Sequence, residues 1–133
     1  MDSTVRQMTV LVVDDDAGIR DSMRDVLCIE GYDADTARSA ELALEMAQKR
    51  DYDVIVLDIN LPGMDGIQAL KQIKASDPSP RVIMVTGSNS DATTAAALDA
   101  GADALFRKPL DVASFLPVLM SADAMPENPE ENL

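Results

Sequence analysis

Five positions in this chain carry groups suited to act on one another: Asp14, Asp15, Asp58, Thr86 and Lys108, with Asp16 beside the first pair. Brought together, these groups fit one kind of chemistry. Two carboxylates within a few ångströms repel by roughly 4 kcal/mol at an intermediate dielectric, so only a cation or a paired lysine holds them ionised together. Mg²⁺ suits such a cluster, because it prefers carboxylate oxygens and keeps several of its waters. A metal, an ammonium and a hydroxyl around one isolated aspartate form a phosphoryl-transfer set with the carboxylate as nucleophile.

Whether they meet depends on the elements that carry them. Short apolar runs recur at "TVLVV" (9–13), "VIVL" (54–57) and "RVIMV" (81–85), with weaker ones at "YDADTA" (32–37) and "ADALF" (102–106). The strong runs are rich in β-branched residues on successive positions, the pattern of strands buried on both faces. Between them lie helical repeats. Ile19, Met23, Val26 and Leu27 fall on one stripe that Gly31 ends, and Ala40, Ala43, Leu44 and Ala47 repeat it. Asp65 is placed to cap a helix carrying Ile67, Leu70 and Ile73. An Ala-rich helix spans 91–100, closed by Gly101, and a fifth runs from about Asp111 to Ser121.

Strand alternating with helix at this spacing implies a parallel sheet covered on both faces. In such sheets ligands bind in the crevice beyond the strands' carboxyl ends. The residues at those ends are Asp14–Asp16, Asp58, Thr86 and Lys108-Pro109. Singly, each has an ordinary explanation as a helix cap, turn residue, strand terminator or surface turn. Jointly, every strong strand ends in a group serving the same purpose.

The length of 133 residues suits one domain able to bury a proper core. With 11 basic against 24 acidic residues, a net charge of −13, the chain is poorly suited to nucleic-acid phosphates or an anionic membrane surface. There is no histidine, which removes every His-based nucleophile pair and His-ligated metal site. The single Cys28 sits in a helical pattern and reads as a buried structural thiol in a reducing cytoplasm. "MDSTVRQM" lacks the features of a secretory leader, and no apolar run approaches a membrane span.

The ordered motifs "VLVVDDD", "VIVLDINLPGMDG", "VIMVTG" and "FRKP" resemble the receiver domain of two-component response regulators over about residues 8–120. The resemblance implies a flavodoxin-like, five-stranded parallel sheet of order 2-1-3-4-5 with helices on both faces. It implies that Asp58 accepts a phosphoryl group from the phosphohistidine of a sensor histidine kinase or a histidine phosphotransfer protein. Asp15 and Asp58 would ligate Mg²⁺ directly, the Asn60 carbonyl would be a third protein ligand, and Asp14 would act mainly through water. Thr86 and Lys108 would each hold a phosphoryl oxygen, and the Lys108–Pro109 peptide would be cis. The family signals by conformational change to a downstream protein, and the face of its fourth helix, fifth strand and fifth helix would suit a dimer. Such a chain would catalyse its own phosphorylation and dephosphorylation rather than act as an enzyme in the usual sense.

Two departures stand out. The family's switch position, usually Tyr or Phe, is Leu105 here, with the aromatic displaced to Phe106. Pro117 falls inside the fifth helix and predicts that it is bent or short. The receiver is expected over 1–121, and "MPENPEENL" closes an acidic tail over 122–133 expected to be disordered. Two other readings remain open. One is a haloacid-dehalogenase-like phosphatase with Asp14 as nucleophile in an Asp14-x-Asp16 pair, which leaves Asp58 unexplained. The other is a receiver-like interaction module that is never phosphorylated.

Overall fold

The computed structural model describes residues 8–76, 79–87, 90–109 and 112–123. Along the chain these form β1 (Thr9–Val13), α1 (Ala17–Ile29), β2 (Asp33–Ala37), α2 (Ala40–Lys49), β3 (Val54–Asp58), α3 (Gly66–Lys74), β4 (Arg81–Thr86), α4 (Asp91–Asp99), β5 (Ala104–Arg107) and α5 (Val112–Asp123). All neighbouring strands are parallel, in the order β2-β1-β3-β4-β5. This is the flavodoxin-like arrangement that the resemblance implies.

Side-chain alternation splits the core into two layers. Leu11, Val13, Ile55, Leu57, Val82 and Met84 face α2, α3 and α4, where Ala40, Ala43, Leu70 and Ile73 meet them. Val10, Val12, Val54, Val56, Ile83 and Val85 face the other way, against Met23 and Leu27 of α1 and Phe115 and Leu119 of α5. Small alanines on α2 and α3 let those helices lie close to the sheet, which is how a chain with so few aromatics fills its interior.

The caps follow the sequence. Asp16, Ser39, Asp65 and Ser90 each precede a helix and accept a hydrogen bond from its first-turn amides. Gly31 ends α1 with φ of 95°, a left-handed conformation that costs glycine little.

Two expectations are corrected. Cys28 is exposed, not a buried thiol. Met23 and Leu27, four residues apart, form the inward stripe of α1. Cys28 follows Leu27 by one residue, about 100° around the helix, and so points to solvent. The fifth helix is also not short, for it continues through Pro117 for 12 residues. Pro117 is exposed while Phe115 and Leu119 on either side are fully buried. Their burial holds the helix to the sheet despite the missing backbone donor. Of the expected acidic tail, residues 124–133 lie outside the described residues.

No described helix is long and apolar enough to cross a membrane.

Candidate functional site

The tips of β1, β3, β4 and β5 converge on one edge of the sheet. Register puts Val13 beside Leu57, Asp58 beside Val85, and Thr86 beside Arg107, so the residue ending each strand arrives at a similar height.

Asp14 leaves β1 almost buried, at 5% exposure, and its backbone is pinned on both sides. Its N–H donates to the Ala37 carbonyl at 3.1 Å, and its own carbonyl accepts from Arg20 Nη1 at 2.8 Å. Its Oδ1 accepts from the Asp16 N–H at 2.9 Å. Asp16 in turn caps α1, its Oδ1 accepting from the amides of Gly18 and Ile19. Asp16 is thus committed to the helix, whereas the exposed Asp15 joins Asp14 and Asp58 in a cluster whose carboxylate oxygens lie within 4.8 Å of one another.

Asp58 ends β3 at 2% exposure. Its Oδ1 accepts from the Asn60 N–H at 3.0 Å, and its Oδ2 accepts from Lys108 Nζ at 2.7 Å. The same ammonium reaches Asp14 Oδ2 at 3.3 Å. Lys108 is itself placed by the sheet, since its N–H donates to the Thr86 carbonyl at 2.7 Å, and the Lys108–Pro109 peptide that follows is cis. Thr86 is fully buried, its hydroxyl donating to Asn60 Oδ1 at 3.4 Å.

The electrostatics follow from this crowding. Burial pushes the Asp14 carboxyl above the usual carboxylate range, and the charge of Asp58 adds to the push. The Asp16 amide and the Lys108 ammonium pull it down, but do not win. For Lys108, burial acts to lower the pKa, yet the hydrogen bond to Asp58 and the charges of Asp58 and Asp14 raise it overall. One ammonium therefore serves two buried acids, with Asp15 beside them. The donor set is all hard oxygen, the chemistry that a small divalent cation such as Mg²⁺ takes. A depression of about 430 Å³, lined by Asp15, Asp58, Asn60, Gly87 and Lys108, opens over the cluster.

Leu105 is half-buried and packs with the layer under α2 to α4. Phe106 faces the opposite layer, its ring edge-on to Phe115 with centroids 6.0 Å apart. The displaced aromatic therefore lies on the other side of the sheet from the position it would replace.

Sequence reasoning singled out neither Arg20 nor Gly87. Arg20 is one of several polar residues along α1, and nothing in its spacing marks it as reaching back to a carbonyl six positions earlier. Gly87 had only its place after Thr86 to announce it.

The comparisons agree with this architecture. A family model described as response regulator receiver domain matches residues 10–119. A curated relative, "Response regulator MprA" of Mycobacterium leprae, is 34% identical over 109 residues, covering 82% of this chain and 48% of that protein. A "Cyclic di-GMP phosphodiesterase" of Thermotoga maritima is 36% identical over 105 residues, 79% of this chain and 28% of that protein. The chain thus spans about half or less of the length of these relatives. Among solved structures, a CheY-like receiver domain protein from Methanospirillum hungatei superposes with a TM-score of 0.84 at 32% identity, covering 90% of this chain and 96% of that one. The chemotaxis response regulator CheY4 of Vibrio cholerae gives 0.81 at 29% identity, covering 88% and 99%.

Proposed function

Since this chain belongs to the response regulator receiver family of two-component systems, we propose that it is a phosphoacceptor receiver whose nucleophile is Asp58. The donor would be the phosphohistidine of a sensor histidine kinase or histidine phosphotransfer protein, a role that a chain without histidine must leave to a partner. An Asp58 oxygen forms the new O–P bond as the N–P bond breaks, and the departing imidazole takes its proton from solvent. Water later attacks the phosphorus, the Asp58 O–P bond breaks, and inorganic phosphate leaves as the carboxylate returns. The observation that carries this reading is the shared ion pair: Lys108 Nζ at 2.7 Å from Asp58 and 3.3 Å from Asp14.

Each residue's part follows from its surroundings. Lys108, on the tip of β5, would exchange part of its ion pairing for a phosphoryl oxygen, and the Thr86 hydroxyl would donate to another. Asp14, Asp15, Asp58 and the Asn60 carbonyl would hold Mg²⁺, which supplies charge neutralisation for the phosphoryl oxygens when bound. The acid cluster fits such an ion because one lysine faces three carboxylates. Asp14 and Asp58 are fixed by hydrogen bonds, so little reorganisation is needed.

The signal would pass to a downstream protein through the face of α4, β5 and α5, where Leu98 is 50% exposed, and the same face would suit a dimer. With a net charge of −13 this chain would be poorly suited to a nucleic acid or an anionic membrane as partner, and the cytoplasm would be the compartment.

The test is intact mass after incubation with Mg²⁺ and a small acyl phosphate. A single phosphoryl adduct that needs Mg²⁺, is lost in Asp58→Asn and is weakened in Asp14→Asn is the expected outcome. An adduct that persists in Asp58→Asn but vanishes in Asp14→Asn would return the phosphatase reading. No adduct in any form would leave a binding module.

A further inference from the structure

The loop between β3 and α3, residues 59–65, starts next to Asp58 and carries the Asn60 carbonyl. Its base is closed tightly: the Gly66 N–H donates to the Ile59 carbonyl at 3.3 Å, and a Cβ on Gly66 would stand 2.7 Å from Ile59 Cα and 2.8 Å from the Asp58 carbonyl oxygen. Leu61 is buried and Met64 packs beside the α3 layer. The crown of the loop is held from a different element. Glu41, in the first turn of α2, accepts from the Met64 N–H through Oε2 at 3.0 Å. Gly63, at φ of 84°, presses so close that an added Cβ would lie 3.0 Å from the same Oε2.

Glu41 is well placed for this task. Ser39 caps α2, its Oγ accepting from the Leu42 N–H at 3.1 Å, which fixes the helix start. Glu41 follows that cap by two residues, so its carboxylate stands at the start of α2 where the Met64 amide meets it. The contact joins residues 23 positions apart and ties the loop to a helix outside the Asp14, Asp15 and Asp58 group.

We propose that Glu41 is a positioning residue for the acid cluster: by gripping the Met64 amide it holds the 59–65 loop, and with it the Asn60 carbonyl, in place for a divalent cation that Asp15 and Asp58 would bind. This rests on the receiver reading above. It assigns α2 a part in cation affinity that no residue of the cluster itself reveals. Outer partners that orient a metal's ligands commonly cost tenfold or more in affinity when removed.

The experiment is calorimetric titration of Mg²⁺ into wild type, Glu41→Ala, Glu41→Gln and Glu41→Asp, with hydrogen exchange of the Met64 amide and thermal melting in parallel. Glutamine keeps the acceptor and the reach but not the charge, while aspartate keeps the charge but is one methylene short. The expected result is a dissociation constant raised about tenfold in the Ala and Asp variants, near wild type in Gln, with faster Met64 exchange only where affinity falls and melting unchanged. Wild-type affinity in Glu41→Ala would overturn the proposal. So would a Gln variant as weak as Ala, since charge alone would then account for the effect. If the wild type itself takes up no Mg²⁺, the receiver reading fails first and this proposal falls with it.

Discussion

Lys108 and Asp58 lie 50 residues apart in the chain and 2.7 Å apart in space, Nζ on Oδ2. The parallel sheet makes this meeting possible, because β3 and β5 flank β4 and deliver both residues to the same edge. The ammonium also serves Asp14 at 3.3 Å, so the loss of one lysine strands two buried acids.

Lys108→Met should therefore destabilise the metal-free protein at pH 7. Removing one partner of a buried pair costs about 3–5 kcal/mol. The Lys108 side chain is 29% exposed, so solvent screening reduces this to about 1–3 kcal/mol. Urea denaturation with and without Mg²⁺ checks it: the deficit should shrink when the cation is supplied. Equal midpoints for wild type and variant would show that the pair contributes no stability.

Asp14→Asn should act in the opposite direction. The folded state holds Asp14's proton more tightly than the unfolded chain does, because burial and Asp58 raise its pKa. Stability from this group thus increases as pH falls through the raised value towards the ordinary one, and its ionisation penalty is present in full above it. Asparagine keeps an acceptor for the Asp16 amide without the charge. A gain in stability near neutral pH without Mg²⁺ is expected from the linkage, in denaturant melts across pH 4–8, and a loss of stability there would refute it.

Tyr52 offers a probe far from the site. Its hydroxyl donates to Asp35 Oδ2 at 2.7 Å. Burial first, then that bond and the Asp35 charge, push its pKa up to about 12, against a smaller lowering by Arg50. The folded state keeps this proton after the unfolded chain has lost it, so stability should fall between pH 10 and about 12, by roughly 2 kcal/mol. Tyr52→Phe should remove both that slope and the latest phase of phenolate absorbance. A titration midpoint near 10 for Tyr52 would contradict the structure.

Gly66→Ala tests the loop base. Its Cβ would meet backbone atoms at 2.7 Å, and backbone cannot step aside as a flexible side chain can. A loss of about 2–3 kcal/mol is expected, together with weaker Mg²⁺ uptake because Asp58 and Ile59 must shift. Unchanged stability and uptake would mean that α3 can move away freely.

The parts visible in the sequence were those set by local pattern. The β-branched runs of β1, β3 and β4 announced a sheet buried on both sides, and Asp65, with Asp16 among the acids after β1, stands where a helix cap belongs. The acid cluster was legible because each member sits at a strand's end. What escaped depends on rotation or on distance. Cys28 is one helical step away from the buried Leu27, a difference that hydrophobic periodicity resolves poorly when the neighbours are Ile29 and Val26. Glu41's hold on Met64 and Arg20's reach to the Asp14 carbonyl join elements whose proximity exists only after folding. The shortening expected at Pro117 did not occur, because propensity was weighed without the two buried side chains that flank it.

The acidic composition of β2 has a use beyond the fold. As a border strand it leaves one row of backbone donors and acceptors unpaired, an invitation to any stray strand in a crowded cell. Asp33 and Asp35 guard that border, and Arg50 bridges both while lying against the Tyr52 ring at 5.6 Å. An intruding strand would have to lie beside these charges and disturb that clasp. At the opposite border β5 is only 4 residues long and is followed by Lys108 and Pro109, which gives little purchase. Both margins of the sheet are thereby poor templates for an added strand, while the acid cluster opens at the strands' tips, away from either edge.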